Sequence, residues 1–106
     1  MMFSSDELDE LIDRATIDAY DESEQVIGFE CMFTEDLTYP IAATVIGVDV
    51  DVEAVRQTDD RRGLIAVVRR GNEQHEIALE DVSFATDAVH ADQLHAAYRR
   101  WWKAQG

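Results

Sequence analysis

The chain has 106 residues, of which 23 are Asp or Glu and 9 are Lys or Arg, for a formal net charge of −14. That length suits one domain, and the charge opposes direct binding to nucleic-acid phosphates or anionic membranes. With 46% apolar residues the chain has material for a buried core, so its acidity does not imply disorder.

The charge is unevenly spread. Residues 1–60 carry 17 acids against Arg14 and Arg56, a balance of −15, while residues 61–106 carry 6 acids against 7 bases, a balance of +1. Halophilic solvation would put acid on every solvent face, so the asymmetry favours a localised cation or basic partner.

Ser4-Ser5-Asp6-Glu7 forms a capping box, a Ser N-cap with Glu three residues later. Leu8, Leu11, Ile12, Ala15 and Ala19 follow as one apolar helical stripe. From Thr16 to Leu37 the pattern stays helical, with Val26, Phe29, Phe33 and Leu37 on one side and Gly28 weakening it. A break at Asp21–Glu24 is expected, giving two helices with an acidic joint. Thr38-Tyr39-Pro40 ends this section, because proline pushes the residue before it out of the α region.

After Pro40 the period becomes two. Ile41–Val52 is rich in β-branched residues and predicts a strand, with Asp49 and Asp51 on its polar face. A turn over Thr58–Gly63 leads to a short strand, Leu64–Arg69. Gly71-Asn72 signals a tight turn, and Glu73–Leu79 completes a hairpin. From Thr86 onward Val89, Leu94, Ala97, Tyr98, Trp101 and Trp102 predict a terminal helix whose aromatic residues pack into the core. The expected architecture is α+β: acidic N-terminal helices, a small antiparallel sheet of SH3-like, partly open form, and a C-terminal helix. One domain spans residues 1–106.

The most informative chemistry is the acidic set Asp18, Asp21, Glu22, Glu24, Glu30, Glu35 and Asp36. Calcium takes about six to eight oxygen ligands, so it requires several carboxylates plus carbonyls from an irregular segment. On a continuous helix Asp18, Asp21 and Glu22 would share one face, where their repulsion would be relieved by a divalent cation. A solvated helical face is the plain alternative. Asp49-x-Asp51-x-Glu53, with Asp60 at the twelfth position, superficially resembles an EF-hand loop, but Ala54 stands where the sharp turn requires Gly.

Other chemistries find less support. His90 and His95 are five apart and diverge by more than about 100° on a helix, so no histidine zinc pair is supported. Those two and His75 are expected at the surface. Cys31 is the sole cysteine, which excludes an intrachain disulfide, and it is expected as a buried, inert thiol. No nucleophile–base arrangement is evident, so a binding protein is expected rather than an enzyme. The first residues lack a positive, then apolar, leader pattern and no apolar run would span a bilayer, which leads to the expectation of a cytoplasmic protein.

Ile17-Asp18-Ala19-Tyr20-Asp21-Glu22-Ser23-Glu24, then Ile27-Gly28-Phe29, then Glu35-Asp36-Leu37-Thr38-Tyr39-Pro40 resembles the cyanobacterial-type calcium-binding protein family, the CcbP-like proteins. The likeness continues through Leu64–Arg69 and Ile77–Val82 to the aromatic terminal helix, about residues 16–102. It implies a small, acidic, cytoplasmic protein without EF-hands that binds Ca2+ as a buffer or sensor. Carried over by position, Asp18, Asp21, Glu22, Glu24, Glu35 and Asp36 match acidic family positions. Phe29-Glu30-Cys31-Met32-Phe33 and Ile41 depart from the family pattern, as does the stretch between Val52 and Leu64. The alternative expectation is an acidic interaction module that docks a basic protein partner without metal.

Overall fold

The structure, a computed structural model, describes residues 3–59 and 62–105. The chain start at Met1-Met2 and the candidate Asp60 lie outside the described residues. Helix α1 (Ser5–Thr16) begins as its capping box requires: Ser4 Oγ accepts the Glu7 N–H at 3.1 Å, and the Ser4 hydroxyl donates to Glu7 Oε1 at 3.0 Å. The helix stops at Thr16, so Ala19 falls beyond the stripe that Leu8, Leu11, Ile12 and Ala15 complete. Helix α2 (Glu22–Glu35) buries Val26, Phe29, Met32 and Phe33. Cys31, two positions from Phe29, points away from that stripe and is exposed, contrary to the buried thiol expected. Where the two helices meet, a Cβ on Gly28 would lie 1.7 Å from the Ala15 carbonyl oxygen, so only glycine permits this approach.

Tyr39 ties the end of α2 to the sheet: its hydroxyl donates to the Phe33 carbonyl at 2.6 Å, and burial raises its pKa well above the usual phenol value. The Tyr39–Pro40 peptide bond is cis. The strand expected over Ile41–Val52 proves to be two, β1 (Ile41–Val45) and β2 (Val48–Gln57). Ile46 (φ 50°) and Gly47 (φ 74°) turn the chain between them, and positive φ at both central residues suits the twist of a tight hairpin. β2 continues past Val52 with an irregularity between Val52 and Ala54.

β3 (Leu64–Arg70) and β4 (Glu73–Ala78) form the expected hairpin through Gly71 (φ 61°). A single 3-10 turn, Leu79–Asp81, leads to the two-residue strand β5 (Ser83–Phe84), which pairs with β1. The result is an open, antiparallel five-stranded sheet in the order β4-β3-β2-β1-β5. Helix α3 (Val89–Ala104) then packs beside α1 and against β5.

Helices and sheet share one core, which contains Phe29, Phe33, Val52, Leu64, Val68, Leu79, Leu94, Tyr98 and Trp101. Tyr98 lies at its centre. Its ring meets Phe29 edge-on at 5.4 Å between centroids and Phe33 at 6.1 Å, joining α3 to α2. Its hydroxyl accepts the Leu64 N–H at 3.0 Å, joining α3 to β3. The packing role expected for Leu94, Tyr98 and Trp101 is therefore observed. His95 was expected at the surface but is buried at the edge of the same helix stripe, one turn on from Ala91, and packs edge-on against Phe84 at 5.2 Å. His75 and His90 are exposed.

Candidate functional site

The joint between α1 and α2 is built from five residues, Ile17 to Asp21. α1 ends as Thr16 Oγ1 donates to the Ile12 carbonyl at 2.8 Å and the Ala19 N–H donates to the Thr16 carbonyl at 3.0 Å. Asp18 then takes a left-handed conformation (φ 62°), which Asp and Asn tolerate better than most residues. Asp21 is extended (φ −136°) and caps α2, its Oδ1 accepting the Glu24 N–H at 2.9 Å. The break therefore falls a few residues earlier than expected. Asp18, Asp21 and Glu22 do not share one helical face, because only Glu22 is in a helix.

The six acidic candidates divide into two groups. Asp18, Asp21, Glu22 and Glu24 lie at the joint, whereas Glu35 ends α2 and Asp36 follows it. A helix rises about 1.5 Å per residue, so along α2 Glu24 and Glu35 stand about 16 Å apart, too far to share one ion. Within the first group, Asp18 and Glu24 line one shallow cleft of about 310 Å³ together with Ile17, Ile27 and Gly28. Glu22 points elsewhere: its Oε1 lies 3.1 Å from Arg62 Nε, and the Arg62 guanidinium sits 5.1 Å from the centre of the Trp102 ring. Asp36 is paired with Arg14 at 3.6 Å.

These carboxylates do not stand as a ready-made cage. Among the described residues no three His, Cys, Asp or Glu side chains gather closely enough to hold a metal ion. Electrostatics at the joint are also mixed. The C-terminal end of α1 presents carbonyls and partial negative charge, which welcomes a cation, but the N-terminal end of α2 carries partial positive charge. An ion at the joint would need Asp18, Asp21 and Glu24 to turn towards one another.

The other acidic candidates fare differently. Asp49 and Asp51 are exposed on β2, in the strand expected of them and not in a loop. They share a cleft with Arg69 and Arg70, whose charge opposes a cation there. Glu53 is held by Arg69, Nε to Oε2 2.9 Å, and by Gln74, and hydrogen bonds from these two side chains, Arg69 first, pull its pKa below the usual carboxylate value. Asp59 is exposed. Glu30, on α2, accepts the Gln57 N–H at 2.8 Å and so braces the end of β2.

Sequence reasoning overlooked the apolar side of the joint. Ile17 is 72% exposed, Tyr20 90% and Ile27 46%. Reading Thr16 to Leu37 as mostly helical hid Ile17 and Tyr20; the break that frees them was visible only as a run of acids.

No protein-family model matches this chain, and no curated protein matches it in sequence. Among solved structures the chain is similar to the crystal structure of Anabaena CcbP, with a TM-score of 0.75 over 96% of this chain and 93% of that one, at 16% identity. The likeness establishes a shared fold, which in this chain, among the described residues, is α+β with three α-helices and an open five-stranded antiparallel sheet.

Proposed function

We propose that this chain is a Ca2+-binding protein without catalytic activity, a buffer or sensor that takes the ion at the α1–α2 joint. The observation that carries this is the agreement of two likenesses. The acidic motifs resemble the cyanobacterial-type calcium-binding proteins, and the fold matches Anabaena CcbP over nearly the whole chain. Asp18 and Glu24, which face one cleft, and Asp21 between them supply the carboxylates, with carbonyls from the end of α1 as further oxygen donors. Glu22 is engaged with Arg62, Asp36 with Arg14, and Glu35 lies at the far end of α2. Because the donors are not preassembled, binding draws the joint together and is weaker than in a rigid cage. No helix among the described residues is long and apolar enough to cross a membrane, and the proposed setting is the cytoplasm.

Isothermal titration of chelator-stripped protein tests this directly. Calcium is expected to give a saturable heat that magnesium does not, and millimolar calcium should raise the melting temperature more than equal magnesium. A ligand that binds only the folded state adds about 2.7 kcal/mol when present at a hundredfold its Kd. Asp18→Asn and Asp21→Asn should weaken the calcium heat, while Asp36→Asn should leave it unchanged. Equal small shifts with both ions would mean charge screening and overturn the proposal. Full binding by the Asp18 and Asp21 variants would overturn the assignment to the joint.

A further inference from the structure

We infer that the cleft at the α1–α2 joint is also a docking site for a basic segment of another protein, one that sets an apolar side chain against Ile17 and Ile27 and its positive charges against Asp18 and Glu24. Ile17 and Tyr20 are among the most exposed large apolar residues of the chain, at 72% and 90%, and Ile27 faces the same cleft as Ile17. Exposed isoleucine is costly in water, and a tyrosine presenting both an apolar body and a hydroxyl is of the type that anchors interfaces. Ala15 and Gly28 line the cleft without filling it, which leaves room for an incoming side chain.

Charge decides the occupant. Among the described residues, the charged ones lining the cleft are Asp18 and Glu24, with no Lys or Arg beside them. Asp21, which ends the joint, is also acidic, while Glu22 beyond it is paired with Arg62. A lipid surface or nucleic acid would bring like charge against this rim. A second copy of the chain, related by a two-fold axis, would set the same acids against one another. A segment carrying Lys or Arg beside an apolar anchor satisfies both parts of the surface, with the charges steering encounter and the isoleucines supplying burial. The isoleucines are not metal ligands, so this inference does not rest on the calcium proposal, and its test is made in chelator so that its failure leaves that proposal untouched.

The probe is a fluorescently labelled amphipathic Leu/Lys peptide, titrated with the full chain and followed by anisotropy, with an all-lysine peptide of equal charge as comparison. The Leu/Lys peptide is expected to bind, and to bind more tightly than the all-lysine one. Ile17→Ser combined with Ile27→Ser should weaken it by about tenfold or more, which corresponds to ~1.4 kcal/mol. Asp18→Asn with Glu24→Gln should weaken it and flatten its salt dependence, whereas Ile46→Ser, an exposed apolar change at the β1–β2 turn, should not affect it. Circular dichroism of each variant checks that the fold is retained, as expected for polar replacements at exposed positions. Equal binding of the two peptides, indifference to the isoleucine changes, or absence of binding would each overturn the inference. So would a dimer in sedimentation that the isoleucine changes convert to monomer, since the patch would then serve self-association.

Discussion

Gly28 in α2 and the Ala15 carbonyl in α1 are in backbone contact: a Cβ at position 28 would stand 1.7 Å from the oxygen. Glycine costs about 1 kcal/mol relative to alanine in a helix interior, so by propensity alone Gly28→Ala should stabilise the protein. The contact reverses that sign, because relieving it requires two backbones to part. Gly28→Ala is expected to lower stability by about 1–3 kcal/mol, and a rise in the urea midpoint would show that the helices separate at no cost.

Tyr98→Phe removes the acceptor for the Leu64 N–H while keeping the ring that meets Phe29 and Phe33. A buried donor left without its partner costs about 1–3 kcal/mol, far more than loss of an exposed hydrogen bond. For a domain of this size that is a fall in Tm of about 4–8 °C per kcal/mol, readable by calorimetry.

Asp21 has a structural task besides any role with an ion, since its carboxylate caps α2. Asn caps helices about as well as Asp, whereas Ala forfeits about 0.5–2 kcal/mol. Asp21→Asn should therefore leave metal-free stability nearly intact while weakening calcium binding, and Asp21→Ala should reduce both. Comparison of the metal-free melting temperatures with the titration heats separates the cap from the ligand.

His95 gives the protein an acid-sensitive term. Its Nε2 lies 2.7 Å from the Leu79 carbonyl, and burial lowers its pKa, with Arg99 adding to the shift while the Leu79 carbonyl, Asp92 and Glu80 oppose it. In the unfolded chain histidine titrates near ~6.5, so the unfolded state takes the proton first as pH falls. The stability is present above about pH 6.5 and is lost as pH falls from there towards the lower folded value. His95→Gln keeps an N–H for the Leu79 carbonyl and cannot protonate in this range. Denaturant midpoints measured at about pH 7.5 and 5.5 should fall more for the parent protein than for the variant. Relief of acidic repulsion acts in the opposite direction on both, so the difference between them isolates His95.

What the amino-acid pattern revealed follows from how local each signal is. Ser4 with Glu7, the Val26–Phe29–Phe33 stripe and Gly71-Asn72 are satisfied within a few residues, and each appears where the pattern places it. The β1–β2 hairpin was hidden because Ile46 takes a positive φ inside a β-branched run, leaving Gly47 as the one cue. β5 has two residues and exists through its pairing with β1, which no periodicity can encode. His95 occupies an i+4 position from Ala91 on the buried stripe of α3, but its polarity suggested the surface. The composition of the acidic set was readable from sequence. Its division between the two ends of α2 followed from the span of that helix, Glu22–Glu35.

Trp102 packs under Arg62, and Arg62 reaches to Glu22 in the first turn of α2. The C-terminal helix thus holds an indole one side chain away from the acidic joint. Any event that rearranges the joint and frees Arg62 changes the cationic neighbour of that ring. The protein therefore contains its own optical probe, and tryptophan emission can follow cation or peptide binding without an added label.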